Sequence, residues 1–184
     1  MQQSLFLSKN KKIKGFVADF SDLNAVKQLA EQIKREVPIL DVLINNAGIF
    51  KTPTIKTKEG LDIRITVNFL APYILTNTIL LSIKNSEVPR IINLSSAAQS
   101  TVKKGVLTGD TIVNENEAYA QSKLALTMWS FALAKTEPNI NIIAVNPGSL
   151  LNTKMAKEAY GQHWSPAEKG VNIIYDLATS ELYN

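Results

Sequence analysis

Short apolar runs alternate with segments of helical periodicity along this chain, and this alternation limits the fold more than any other feature. The runs are predicted as strands over residues 14–18, 42–44, 91–94 and 142–145. Strands that alternate with helices form a parallel sheet covered by helices on both faces. The sequence therefore predicts an α/β fold with a parallel sheet, with function at the carboxyl ends of the strands.

The segments between these runs carry the helical pattern. Ser21 is a candidate N-cap for the first helix. Three further helices are predicted over residues 58–84, 118–135 and, more approximately, 166–177. Pro72 predicts a kink or local break in the first of these three. Residues 99–117 are predicted as a long loop with one short element, of a kind that often shapes a binding site.

Length and composition indicate a single globular domain over residues 1–184. The chain has 45% hydrophobic residues, which is enough to bury a sizeable core. It contains no cysteine, which excludes disulfides and thiolate metal sites and fits a cytoplasmic location. His163 is the only histidine and has no acidic cluster beside it, so we expect no metal site.

The charge pattern gives little reason to expect a nucleic-acid partner. The net charge is +4, and a small basic cluster is formed by Lys9, Lys11, Lys12 and Lys14. No aromatic residues interleave with these lysines, so the cluster is predicted to be a solvated face. Modest positive charge favours a small anionic ligand only as diffuse attraction. No apolar run approaches the roughly 20 residues that span a bilayer, so we expect no membrane partner.

Tyr119 and Lys123 are the residues most suggestive of chemistry. Side chains four apart share one face of a helix, so the two can point into one crevice. An ammonium near a phenol favours the phenolate and makes the hydroxyl a usable proton donor and acceptor. Because the chain has five tyrosines and many lysines, such a pair arises by chance in about one such sequence in two. An incidental pair on an exposed helix face is therefore the alternative.

The order of the polar motifs carries more weight than this pair alone. The set runs, in chain order, through Asn45-Asn46-Ala47-Gly48, Asn68, Ser96, Tyr119, Lys123 and Pro147-Gly148. It resembles the short-chain dehydrogenase/reductase family over nearly the whole chain, and this resemblance implies that the α/β fold is Rossmann-like, with helices on both faces of the sheet. The 23 residues from Ser96 to Tyr119 are similar to the spacing in the retinol-dehydrogenase-like branch.

The resemblance implies an NAD(P)-dependent oxidoreductase that interconverts an alcohol and a carbonyl by hydride transfer. It implies that Tyr119 is the acid/base and that Lys123 supports it and binds the nicotinamide ribose. Ser96 then hydrogen-bonds the substrate oxygen, with Ser95 as the alternative, and Asn68 supports a water-mediated proton relay. A strand-end turn would also explain the serine pair.

The resemblance also implies where the dinucleotide binds. Asp19 resembles the acidic residue that contacts the adenine ring, although an acid at a helix start needs no such role. The residues expected to contact the adenosine side of the cofactor are Asn45, Ala47 and Gly48. Those expected to contact its nicotinamide end are Pro147, Gly148 and Thr153. A simple turn is the alternative for the Asn-Asn-Ala-Gly segment.

The chain departs from the family pattern at both ends. It has no Gly-x-x-x-Gly-x-Gly turn, whose amides cradle a pyrophosphate at a helix N-terminus. The predicted strand over residues 14–18 matches the family's third, so the first two strands and the last are expected to be missing. That strand then either pairs with the one over residues 42–44 or leaves its edge unpaired. The choice between NAD and NADP is not readable from such a truncated chain.

Two other functions remain open. The chain could be a catalytically dead remnant that acts as a binding or oligomerisation module, since family members often dimerise through the helices that hold Asn68 and Tyr119. An epimerase or dehydratase on the same architecture shares the Tyr and Lys pair, but the Pro-Gly-x-x-x-Thr turn favours the dehydrogenase. Retinoids, steroids, lipid aldehydes and other small carbonyl compounds all remain possible substrates.

Overall fold

Three parallel strands form the sheet of this protein. The computed structural model describes residues 12–148, 151–152, 155–157, 161 and 165–183. The strands are β1 (Val42–Asn45), β2 (Arg90–Leu94) and β3 (Asn141–Val145), in spatial order β1-β2-β3. Leu43 pairs with Ile91, and Ile91 pairs with Ile142. The predicted α/β fold with a parallel sheet is confirmed, together with three of its four predicted strands.

Helices connect the strands and cover both faces of the sheet. They are α1 (Leu23–Glu36), α2 (Ile63–Lys84), α3 (Lys104–Leu107), α4 (Glu115–Thr136) and α5 (Ala167–Thr179), followed by a 3-10 turn at Glu181–Tyr183. Helix α3 is the one short element expected in the long loop. The four longer helices correspond to those that the periodicity predicted.

Neighbouring residues of β2 point into two separate cores. Ile91 faces a core built with α1, α2 and α4, in which Val26, Ile79 and Leu133 are buried. Ile92 faces the other side, where it packs with Leu177 of α5. Because side chains alternate across a strand, one central strand supports both layers. All five residues of β2 are buried, so this strand fixes the centre of the fold.

Helix α2 contains the break that Pro72 predicts. Thr66–Leu70 form a π-helical turn, in which the Ala71 N–H donates to the carbonyl of Thr66, five residues earlier. Pro72 follows directly and has no N–H. The α-helical hydrogen bond to the carbonyl of Asn68, four residues before Pro72, therefore cannot form.

Two helix starts differ from the sequence prediction. Helix α1 is capped by Asp22 rather than Ser21, because the Asp22 carboxylate accepts from the N–H groups of Asn24 and Ala25. Helix α2 begins at Ile63 rather than near residue 58, because Asp62 caps it by accepting from the Arg64 N–H. In both cases a nearby carboxylate is the stronger acceptor for the free N–H groups of a first turn.

The predicted strand over residues 14–18 is wrong. This segment has no regular secondary structure, and Val17 is 85% exposed. Lys14 forms an ion pair with Glu36 at the end of α1, so the segment lies beside this helix. Within the described residues nothing pairs with the outer edge of β1, and Ile44 is 41% exposed there. β1 is therefore only partly buried, unlike the fully buried central strand β2.

Among the described residues, one helix is long and apolar enough to cross a membrane by length and composition. It is α2, with 22 residues. More than half of its most apolar stretch is buried, and it packs closely against α1, which is the behaviour of a core helix. Such a helix is weak evidence for a membrane span.

Candidate active site

A cavity of about 460 Å³ opens at the carboxyl ends of the three strands. Each strand contributes the residues that follow it, and α4 contributes one face. The walls include Asn46, Gly48 and Phe50 after β1, Leu94 to Ala98 at β2, Asn146 to Gly148 after β3, and Tyr119 and Lys123 of α4. This is the location at which parallel α/β sheets bind ligands.

Tyr119 and Lys123 face the cavity together, as their spacing predicts. The Lys123 Nζ lies 5.8 Å from the centroid of the Tyr119 ring. It donates a hydrogen bond of 2.7 Å to the carbonyl of Leu94. Burial lowers the pKa of Lys123 from 10.5 to about 8, because a buried ammonium has lost its hydration. The ammonium is therefore still the main form at neutral pH.

Phe50 forms the other wall beside Tyr119. The two ring centroids are 4.8 Å apart and the planes are tilted by 50°. Such a tilted aromatic contact is favourable and restricts how the phenol ring can turn. Sequence reasoning missed Phe50, although its place just after the Asn-Asn-Ala-Gly segment was a usable signal.

The two serines at the end of β2 have different surroundings. The Ser95 hydroxyl is buried and contacts the Thr127 hydroxyl at 2.6 Å and the Lys123 carbonyl at 3.2 Å. The Ser96 hydroxyl is half-buried and accepts a hydrogen bond of 3.1 Å from the Ala98 N–H. Both serines line the cavity. The contacts of the Ser95 hydroxyl are with residues of α4, so the Ser96 hydroxyl is the more available of the two for a substrate.

Asn68 is fully buried inside the π turn of α2. Its Oδ1 accepts from the Ile49 N–H at 2.8 Å, and its Nδ2 donates to the Ile49 carbonyl at 2.9 Å. The same Nδ2 donates to the Ser122 hydroxyl at 3.0 Å. Both amide hydrogens are therefore used to join α2, the loop after β1 and α4. A water relay at this residue would use its main-chain carbonyl, whose α-helical donor Pro72 removes.

The cofactor-binding candidates divide into three groups. Gly48, Pro147 and Gly148 line the cavity, whereas Ala47 is exposed and lies outside its walls. Thr153 lies outside the described residues.

Asp19 is exposed and also lies outside the cavity walls. Its carboxylate accepts from the hydroxyl and the N–H of Ser21. These hydrogen bonds hold the pKa of Asp19 below its usual range. Asp19 therefore behaves in this structure as a turn residue in front of α1.

Asn45 points into the core and away from the cavity. Its Nδ2 donates to the Thr76 hydroxyl at 3.1 Å and to the Asn93 Oδ1 at 2.7 Å. Asn93 in turn donates to the Ser130 hydroxyl at 2.8 Å. This chain of buried groups ties β1 and β2 to α2 and α4. No sequence pattern marks this chain of groups, since its members are spread over 86 positions.

Comparison with known proteins identifies the same architecture. The family model for short chain dehydrogenase matches residues 3–164. Bovine (Bos taurus) retinol dehydrogenase 12 is 32% identical over 83% of this chain and 49% of its own length. Human (Homo sapiens) polyprenol dehydrogenase is 30% identical over 94% of this chain and 59% of its own length. The chain thus spans about half the length of the curated relatives it matches.

Solved structures agree with these relatives. A metagenomic short-chain oxidoreductase in complex with NADP superposes with a TM-score of 0.66 at 25% identity. The match covers 97% of this chain and 72% of that chain.

Proposed function

This chain belongs to the short chain dehydrogenase family, in the branch similar to retinol dehydrogenases, and on that premise we propose that it interconverts an alcohol and a carbonyl with NAD or NADP. The observation that carries the proposal is the meeting of Tyr119, Lys123 and Ser96 in one cavity at the ends of parallel strands. A proton donor, a cation and a hydroxyl donor are the groups that carbonyl reduction requires.

The residues around the cavity fit a dinucleotide. The nicotinamide group, when bound, supplies or accepts the hydride. The residues that would hold the cofactor are Gly48, Lys123, Pro147 and Gly148. A Cβ built on Gly48 would lie 3.5 Å from the Lys123 Nζ, so the glycine and the ammonium are neighbours in the cavity wall. An ammonium in this position can donate to ribose hydroxyls.

Each catalytic candidate has a separate task in this proposal. The Tyr119 hydroxyl gives a proton to the substrate oxygen during reduction and takes it back during oxidation. Lys123 keeps a positive charge near the phenol, which favours the phenolate. The Ser96 hydroxyl donates to the substrate oxygen as negative charge develops there. The Asn68 carbonyl holds a water that returns protons from solvent.

A substrate with an apolar body suits the cavity. Phe50, Leu94, Leu151 and Met155 all line it. The two curated relatives are named for retinol and polyprenol, both of them alcohols. We therefore propose an apolar alcohol or its aldehyde as the substrate class.

The cysteine-free composition leads us to propose the cytoplasm as the location of the protein.

Replacement of Tyr119 by Phe tests the proposal. Turnover of NADPH with a panel of apolar aldehydes should fall by about 10²–10⁴-fold, because the proton donor is gone. Cofactor affinity, measured by fluorescence titration, should stay nearly unchanged. Tyr175→Phe is the matched control, because Tyr175 is 64% exposed on α5. Unchanged turnover in Tyr119→Phe would remove this residue from the mechanism.

A second candidate is an assembly module without catalysis. Apolar side chains are exposed on the outer faces of α2 and α4, where Leu81 is 62%, Met128 55% and Phe131 64% exposed. Such a surface favours self-association. Sedimentation of a folded oligomer, with cooperative unfolding and no response to dinucleotide, would favour this function over the oxidoreductase.

A further inference from the structure

Arg64 is a buried cation that the proposed chemistry does not use. Only 3% of its side chain is exposed. Its Nε donates to the Phe50 carbonyl at 2.7 Å. Its two terminal nitrogens lie 3.3 Å from an Asp62 oxygen and 3.5 Å from a Glu115 oxygen. Burial of a guanidinium costs desolvation free energy unless its N–H groups have acceptors. These three partners therefore compensate the burial of Arg64.

Asn68 stands one helical turn after Arg64, on the same face of α2. Arg64 holds the carbonyl of Phe50, and Asn68 holds both main-chain groups of Ile49. Three hydrogen bonds therefore fix two consecutive residues of the loop after β1. This loop cannot shift relative to α2 without breaking these hydrogen bonds. A buried donor or acceptor that loses its partner lowers the free energy of unfolding.

The same two side chains also reach α4. Arg64 contacts Glu115, four residues before Tyr119, and Asn68 donates to Ser122, three residues after it. The Tyr119 ring packs on the Phe50 ring between these two contacts. The phenol is thus held through both its own helix and its aromatic neighbour.

We propose that Arg64 is a positioning residue, which sets the orientation of the Tyr119 ring by fixing the Phe50 main chain against the first turn of α4. Its catalytic consequence rests on the proposed oxidoreductase function, but the ring contact does not. A small displacement of an acid/base group is enough to lower turnover while binding is kept.

The test compares Arg64→Met with a matched buried arginine. Arg90 is 5% exposed and donates to the Leu177 carbonyl at 2.9 Å, at the opposite end of β2 from the cavity. The readout is the nuclear Overhauser contact between the Phe50 and Tyr119 rings in the labelled 184-residue chain, assigned with Phe50→Leu. We expect this contact in the wild type and in Arg90→Met, and its loss in Arg64→Met.

Kinetics give a second readout. In Arg64→Met, kcat should fall by up to about 10²-fold with KM for the dinucleotide nearly unchanged. Arg64→Lys keeps the charge but not the planar fork, so it should recover part of both the ring contact and kcat. It also serves as the test variant if Arg64→Met does not fold.

Three results would overturn the inference. They are a ring contact that persists in Arg64→Met, one that is lost equally in Arg90→Met, and one that is missing in the wild type. If the wild type shows the ring contact but no turnover, the oxidoreductase proposal fails, and the contact in the two Arg64 variants still decides the role of Arg64.

Discussion

The ammonium of Lys123 donates a hydrogen bond of 2.7 Å to the main-chain carbonyl of Leu94, the last residue of β2. This contact joins the helix that carries Tyr119 to the end of the central strand. A neutral carbonyl does not compensate a full charge, so the desolvation of the buried ammonium is the dominant effect. The lysine that would serve the cofactor is therefore also a source of pH-dependent instability.

Stability should rise with pH in the wild type relative to Lys123→Met. The pKa of Lys123 is about 8 in the folded chain and 10.5 without burial, so the unfolded chain binds more protons between these values. The stabilising difference is present above pH 10.5 and is lost as the pH falls through 8. It amounts to about 3 kcal/mol, from 1.36 kcal/mol for each pKa unit. Urea unfolding between pH 7 and 10.5 measures it.

Lys135→Met is the matched control for this experiment. Lys135 lies in the last turn of the same helix and is exposed. The free energy of unfolding of this variant should follow that of the wild type across the pH range. Parallel curves for the wild type and Lys123→Met would contradict the burial argument.

Replacement of Ser95 by Ala should mainly lower stability, whereas replacement of Ser96 by Ala should mainly lower turnover. Ser95→Ala loses buried contacts with Thr127 and Lys123, so its unfolding free energy should fall by about 1–2 kcal/mol. Ser96→Ala should change stability by less than about 0.5 kcal/mol. Its turnover, however, should fall by about 10²-fold, because a donor to the substrate oxygen is removed. Denaturation and steady-state kinetics on both variants check this, and the reverse pattern would assign the catalytic role to Ser95.

The sequence predicted those parts of the fold that depend on local patterns. Apolar runs located β1, β2 and β3, and helical periodicity located the long helices. The spacing of Tyr119 and Lys123 placed both side chains in one cavity, because a helix fixes which residues share a face. These features need only residues that are close together in the chain.

The features that were wrong or were missed depend on partners distant in sequence. The segment over residues 14–18 has the apolar character of a strand but pairs with no described strand, so it stays coil beside α1. The assignment of Asn45 to the cofactor stays a prediction, but the sequence did not reveal the hydrogen bonds from its amide to Thr76 and Asn93. Arg64 gave no signal, because a buried arginine is recognised only once its acceptors are known.

The buried network around Asn93 should be a large contributor to stability. Asn93→Ala removes the acceptor for Asn45 and the donor to Ser130, both of them buried. The unfolding free energy should fall by about 2–4 kcal/mol, because two buried groups lose a partner. Urea denaturation measures the loss.

Asn77→Ala provides the comparison for Asn93→Ala. Asn77 is exposed, and its Nδ2 donates to the Tyr73 carbonyl within the same helix. Its loss should cost less than about 0.5 kcal/mol. Similar losses at the two positions would show that the buried network does not stabilise the sheet.

Replacement of Gly148 by Ala should weaken the binding of the dinucleotide. Its φ is +135°, which favours glycine, and a Cβ would lie 3.1 Å from Leu151 Cδ2. Gly148→Ala therefore both strains the backbone and pushes Leu151, another residue of the cavity wall. Dinucleotide affinity should fall about tenfold, or about 1.4 kcal/mol. Fluorescence titration measures it.

Gly60→Ala separates these two effects. Gly60 has a φ of +83°, and a Cβ there meets nothing within 4 Å. Both variants should lose about 1–3 kcal/mol of unfolding free energy from backbone strain. Only Gly148→Ala should bind dinucleotide more weakly, because Gly60 does not line the cavity. Equal affinities for the two variants would mean that the Pro147-Gly148 turn does not contact the cofactor.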